Sequence, residues 1–205
     1  MPLPAPHIVR RPFAVTGTGG AVASALALAL LASQPALAQP APQAGQADGP
    51  ALYLQAGRAR GDTDALTLGA TLPWKSFRHE LWGSELSGHW DLYVSRWSFD
   101  ALPGGSGHST LLGVTPVLRL TPEQGRSAFF VEAGIGATIA DKRYRTPERE
   151  FSTRFNFASH LGAGLRLGAR RQHEVMLRVQ HVSNAGIKHP NPGNNFVQLR
   201  YALHF

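Results

Sequence analysis

Residues Glu174-Val-Met-Leu-Arg-Val-Gln-His-Val-Ser183 decide the fold. Val175, Leu177 and Val179 fall on one parity, and Glu174, Arg178 and Gln180 on the other. Side chains in a strand alternate between faces, so this decapeptide has one apolar and one polar side. His181 and Ser183 continue the odd, apolar series and leave the strand on that side. The last segment repeats the pattern, with Val197, Leu199, Tyr201, Leu203 and Phe205 against Gln198, Arg200 and His204.

The same period of two runs back through the chain. Leu52, Leu54 and Ala56 share a face, then Leu66, Leu68, Ala70, Leu72 and Trp74. Leu86, Gly88, Trp90, Leu92 and Val94 oppose Glu85, Ser87, His89 and Asp91. Leu112, Val114, Leu118 and Leu120 oppose Thr115 and Arg119. A fifth segment sets Phe129 to Ile139 against Glu132 and Thr138. A sixth sets Phe155, Phe157, Leu161, Ala163, Leu165 and Leu167 against Asn156, His160 and Arg166. About eight such segments of roughly ten residues each match tilted strands that cross a bilayer.

A soluble sandwich also alternates, but its polar face is usually rich in Lys, Ser and Thr. Here the polar face holds Glu, Asp, Arg, His and Gln at mid-strand, a set that pairs internally in a small closed barrel. The expectation is an all-β fold, an eight-stranded antiparallel transmembrane β-barrel over 51–205. His89, His160 and His204 have lumen parity and read as members of internal hydrogen-bond networks. Trp74, Trp82, Trp97, Tyr144 and Phe151 fall near strand ends, as interfacial girdle aromatics would. Trp82, Trp90 and Trp97 likewise read as lipid anchors rather than as the walls of an acyl groove.

Composition agrees. The 205 residues include 22 glycines and 15 prolines, and charged residues make up only 16%, which suits a turn-rich β protein. There is no cysteine, which excludes disulfides and cysteine-based metal sites. Residues 1–38 read as a signal peptide: Arg10 and Arg11, an apolar run from Ala21 to Ala32, and the cleavage-site pattern Ala36-Leu37-Ala38. Residues 39–50 read as a flexible tether. Removing the leader takes two arginines and no acids, which lowers the formal charge from +7 to +5. Export makes nucleic acid an implausible partner for this basic chain and favours anionic lipid.

A periplasmic N-terminus puts the turns after even-numbered strands in the periplasm. The connections Asp100–His108, Asp141–Glu150 and Asn184–Gly193 then face outward. Parity points His181, Ser183 and Asn195 toward lipid. A polar trio there is expensive in hydrocarbon and wants a reason. One reason is a position in the wet headgroup layer. The other is nucleophilic acyl transfer, with Ser183 attacking, His181 as base and Asn195 orienting the imidazole.

The motif His181-Val-Ser183-Asn184-Ala-Gly186-Ile-Lys188-His-Pro190-Asn191-Pro-Gly193 resembles the C-terminal motif of the PagL family of lipid A 3-O-deacylases. Phe157-Ala-Ser-His-Leu161-Gly162-Ala-Gly164-Leu-Arg166-Leu-Gly168 resembles that family's sixth strand. The resemblance implies a serine esterase that removes the ester-linked acyl chain at the 3-position of lipid A. It implies an outer-membrane location, with the site at the outer leaflet. Ser183 matches the nucleophile and His181 the base, while Asn184 and the Gly186 N–H match the oxyanion hole. The family's third member is a glutamate, and here its place is taken by Asn195. The implied partners are lipid A and outer-membrane lipid, with no cofactor, no metal and no nucleic acid, and with room for a homodimer. Lys142, Arg143, Arg145 and Arg149, with Lys188, are candidates for the lipid A phosphates. The alternative is a non-catalytic small barrel or a degenerate homologue, which the amide at 195 keeps open.

Overall fold

A computed structural model of the protein describes residues 49–102 and 104–205. The leader and most of the tether lie outside the described residues. The rest is eight antiparallel strands: β1 (Ala51–Ala59), β2 (Thr63–Leu81), β3 (Ser84–Asp100), β4 (Ser106–Thr121), β5 (Phe129–Ala140), β6 (Phe155–Leu167), β7 (His173–Ser183) and β8 (Asn194–His204). Each pairs with its sequence neighbour, and β1 pairs with β8 from Ala51↔His204 to Ala59↔Phe196, so the barrel is closed. Closure satisfies every edge, which a bilayer demands of a spanning sheet.

The outer face is an apolar belt in which Leu54, Leu68, Leu112, Ile135, Leu161, Leu177 and Val197 are exposed. In a bilayer that surface meets acyl chains. The inner face carries the charge. Arg119 binds Glu132 and Glu174, each at 2.6 Å. Arg178 and Arg200 converge on Asp91 at 3.3 and 2.8 Å, and Tyr53 Oη donates to the same carboxylate at 2.6 Å. These pairs are almost fully buried. Buried ions persist only when paired and hydrogen-bonded, which is why the polar mid-strand residues neutralise one another across the lumen. His89 and His160 are buried there too, and His204 lies 3.2 Å from Glu174.

One end of the barrel has the short connections Trp82-Gly83, Pro122–Ala128 and Gly168–Gln172. The other has the longer β5–β6 and β7–β8 loops, residues 141–154 and 184–193, and is called the loop end below. The β3–β4 connection is shorter than the sequence suggests, because β4 already begins at Ser106.

The girdle expectation needs correcting for three residues. Trp97, Tyr144 and Phe151 do not face lipid; they are buried. They pack with Phe99, Phe196 and Val182 into an aromatic cluster inside the loop end. Trp97 packs against Phe196 with the rings tilted by 43° and centroids 4.6 Å apart, and Tyr144 lies edge-on to Phe99 at 4.7 Å. Trp97 has the parity of Ser95, an inward residue, and Tyr144 and Phe151 fold inward from the β5–β6 loop. Trp82, in contrast, is 88% exposed at the β2–β3 turn.

Candidate active site

The site forms where β7 and β8 meet at the loop end. His181 and Asn195 are register partners across this ladder. Their inward neighbours Val182, Asn194 and Phe196 are buried, so alternation alone turns His181, Ser183 and Asn195 outward. His181 and Asn195 are exposed on the lipid-facing surface and Ser183 is half-buried. Val182 and Phe196 belong to the aromatic cluster, which fixes the strand ends from inside.

His181 Nε2 lies 3.0 Å from Ser183 Oγ, and His181 Nδ1 lies 2.7 Å from Asn195 Oδ1. An amide oxygen only accepts, so Nδ1 carries the hydrogen and donates it. Nε2 is then left to accept the serine O–H. This is the hydrogen-bond order of a nucleophile, its base and an orienting group.

The loops press the three residues together. Gly193 has φ +60°, and a Cβ there would stand 2.7 Å from His181 Cε1 and 3.5 Å from Ser183 Cβ. Its backbone therefore covers the imidazole at a distance no other residue allows. Arg149, from the β5–β6 loop, donates to Gly193 O at 2.8 Å. Ser152 Oγ donates to Lys188 O at 2.8 Å, and Asn194 Nδ2 to Tyr144 Oη at 3.2 Å. The β5–β6 loop thus clamps the β7–β8 loop at Lys188 and Gly193 and the first residue of β8 at Asn194.

Asn184 and Gly186 are arranged differently from the oxyanion-hole expectation. Asn184 is buried, and its Nδ2 donates to Ser152 Oγ at 3.0 Å and Lys188 O at 2.7 Å. Its Oδ1 accepts the Gly186 N–H at 3.0 Å. Both donors are committed to the loop, because burial obliges the Asn184 amide to find partners for all its polar atoms.

The cationic residues divide in the same way. Lys142, Arg143, Arg145 and Lys188 are exposed at the loop end. Arg145 pairs with Glu150 at 2.7 Å, and Arg149 is a clamp rather than a free cation. At the root of the loop, Asp141 Oδ1 accepts the Thr110 N–H at 2.8 Å and the Ser109 hydroxyl at 3.2 Å. The Thr110 amide, aided by Ser109, holds the Asp141 carboxyl below its ordinary range. The braces Arg149, Ser152 and Asp141 left no periodic signal in the sequence. Gly193, a glycine just past the Asn-Pro of the motif, was the one visible hint.

Residues 64–204 match a family model described as "Lipid A 3-O-deacylase (PagL)". The chain is 35% identical over 133 residues to lipid A deacylase PagL of Bordetella bronchiseptica, covering 61% of this chain and 70% of that one. It is 30% identical over 136 residues to lipid A deacylase PagL of Pseudomonas aeruginosa, covering 66% and 75%. A crystal structure of the outer membrane enzyme PagL shares the fold, with a TM-score of 0.63 at 23% identity over 76% of this chain and 99% of that one. By the span of the family match and by the identity to both relatives, the chain belongs to the PagL family of lipid A 3-O-deacylases.

Proposed function

We propose that this protein is an outer-membrane serine esterase that hydrolyses the acyl ester at the 3-position of lipid A, with Ser183 as nucleophile and His181 as base. The observation that carries the reading is the continuous chain Ser183 Oγ, His181 and Asn195 Oδ1 on the outer, lipid-facing wall.

Ser183 Oγ attacks the ester carbonyl while His181 Nε2 takes its proton. The tetrahedral intermediate collapses as His181 returns that proton to the departing sugar oxygen, leaving the acyl group on Ser183. Water then attacks the acyl carbonyl and gives its proton to His181; the fatty acid leaves and Ser183 Oγ recovers a proton. Asn195 holds the imidazole in the tautomer this sequence needs. It adds no charge to offset the imidazolium, so the step runs more slowly than with a carboxylate.

Oxyanion stabilisation requires the Gly186 N–H and the Asn184 amide to exchange their loop partners for substrate oxygen. Such contacts commonly tighten only once substrate is bound. Each donor so recruited contributes about 3–4 kcal/mol to the tetrahedral state. Lys142, Arg143 and Lys188 lie at the same rim and suit the phosphates of lipid A, in the outer leaflet.

The amide at 195 favours one competing reading, a barrel that has lost activity. Mass spectrometry of lipid A from cells expressing wild type, Ser183→Ala or Asn195→Ala separates the two. Loss of one acyl chain with wild type, none with Ser183→Ala and weak loss with Asn195→Ala supports the esterase. Unchanged lipid A in all three strains leaves the inactive barrel.

A further inference from the structure

The hydroxyl of Tyr144 stands where an apolar ring alone would pack as well. The ring lies among Trp97, Phe99 and Phe151 inside the loop end, and the residue is only 2% exposed. A buried hydroxyl is costly unless it is hydrogen-bonded. Thr63 Oγ1, at the start of β2, lies 2.6 Å from Tyr144 Oη, and Asn194 Nδ2, at the start of β8, donates to it at 3.2 Å. Thr63 and Asn194 are fully buried as well.

The donors and acceptors along this line have one consistent order. Thr63 Oγ1 spends its hydrogen on Gly61 O at 3.2 Å, so it accepts from Tyr144 Oη. Tyr144 Oη in turn accepts from the Asn194 amide. With Nδ2 held in this way, Asn194 presents Oδ1 to the N–H of Asn195 at 3.1 Å. Asn194 is buried on the lumen side and Asn195 is exposed on the lipid side, so this last bond carries the hold through the barrel wall. On the outer side Asn195 Oδ1 meets His181 Nδ1 at 2.7 Å, and His181 Nε2 meets Ser183 Oγ.

We infer that Tyr144 is a positioning residue for the deacylation: through Asn194 it fixes Asn195, the group that sets the His181 tautomer. The inference rests on Ser183 being the nucleophile and Asn195 the orienter. A carboxylate can accept from Nδ1 with either oxygen. Asn195 can do so with one atom only, and turned over it offers an N–H instead. An amide orienter therefore depends on the strand end that carries it. Without the Tyr144 hydroxyl, Asn194 Nδ2 is left buried and unpaired; the amide turns to find a partner and releases the Asn195 N–H. A small displacement in the reacting line then slows the chemical step.

Tyr144→Phe keeps the ring and removes only the hydroxyl. With purified, detergent-refolded protein and lipid A as substrate, it should lower kcat about tenfold and leave KM unchanged. Thr63→Val, one bond further from the site, should lower kcat about threefold. In an Asn195→Ala background, Tyr144→Phe should cause little further loss, because the group it acts through is gone. Nitrogen-15 NMR of labelled histidine reads the tautomer without turnover, with His181 assigned by its absence from His181→Ala. Wild type should show the Nδ1–H form and Tyr144→Phe a mixture. Heat-modifiable gel migration reports that each barrel is folded. Folded Tyr144→Phe with the kcat of wild type, with its His181 tautomer, or with the full loss repeated in Asn195→Ala would overturn the inference. Hydrolysis that survives Ser183→Ala would instead overturn the active-site reading on which it rests.

Discussion

The backbone of Gly193 lies so close to His181 that a single added methyl group would reach the ring, 2.7 Å from Cε1. The glycine and the imidazole are consecutive layers of one stack, with Ser183 on its flank. Gly193→Ala therefore forces the ring to move and also strains a left-handed backbone. The expected result is a kcat lowered about 100-fold with little change in KM, since a displacement under 1 Å at a reacting group suffices for that. Steady-state kinetics on the folded variant checks it.

Arg149 holds that stack down through Gly193 O. Arg149→Ala should lower kcat about tenfold, and Arg149→Lys should recover part of it through one remaining donor. A change confined to KM for lipid A would mean that the guanidinium binds phosphate instead.

Asn195 faces His181 Nδ1 with its oxygen at 2.7 Å. The amide can rotate to present its nitrogen, which would impose the wrong tautomer; a carboxylate cannot. Asn195→Glu should raise kcat by about tenfold or more, because it fixes the tautomer and adds the missing charge. Equal or lower activity would show that residue 195 does not occupy the acid's place.

Much of this was legible in the alternation. Lumen and lipid parity assigned His181, Ser183 and Asn195 to the outer wall and His89 and His160 to the interior, as found. Trp97 was misassigned because its position near a strand end outweighed its parity, which was inward. Tyr144, Phe151, Arg149 and Asn184 were beyond reach for another reason. They sit in loops, where partners are set by tertiary contact rather than by a repeat.

Asp141 ties the β5–β6 loop to β4, and its carboxyl is depressed below the ordinary value of 3.8. A depressed acid stabilises the folded loop above its unfolded value, and that contribution is lost as pH falls through the folded value. Between about pH 5 and pH 2, protection against hydrogen exchange at Ser109, Thr110 and neighbouring loop amides, taken relative to the intrinsic exchange rate at each pH, should fall in wild type. In Asp141→Asn the same amides should exchange faster throughout, with a smaller change over that interval.

Arg119 sits between Glu132 and Glu174 in the lumen. Arg119→Met removes the cation that Glu132 and Glu174 share, leaving Glu174 only Arg166 at 3.9 Å, and should destabilise the barrel by about 3–5 kcal/mol. Adding Glu132→Gln and Glu174→Gln should recover most of the loss. Urea unfolding of refolded protein measures both.

An outward Ser183 activated by His181 is tested most directly with an alkyl fluorophosphonate, which reacts with activated serines. Intact-mass and peptide mass spectrometry of the refolded protein should find one adduct, on Ser183, and none in His181→Ala. An adduct on another residue, or full deacylase activity in protein whose Ser183 has been replaced by alanine, would contradict it.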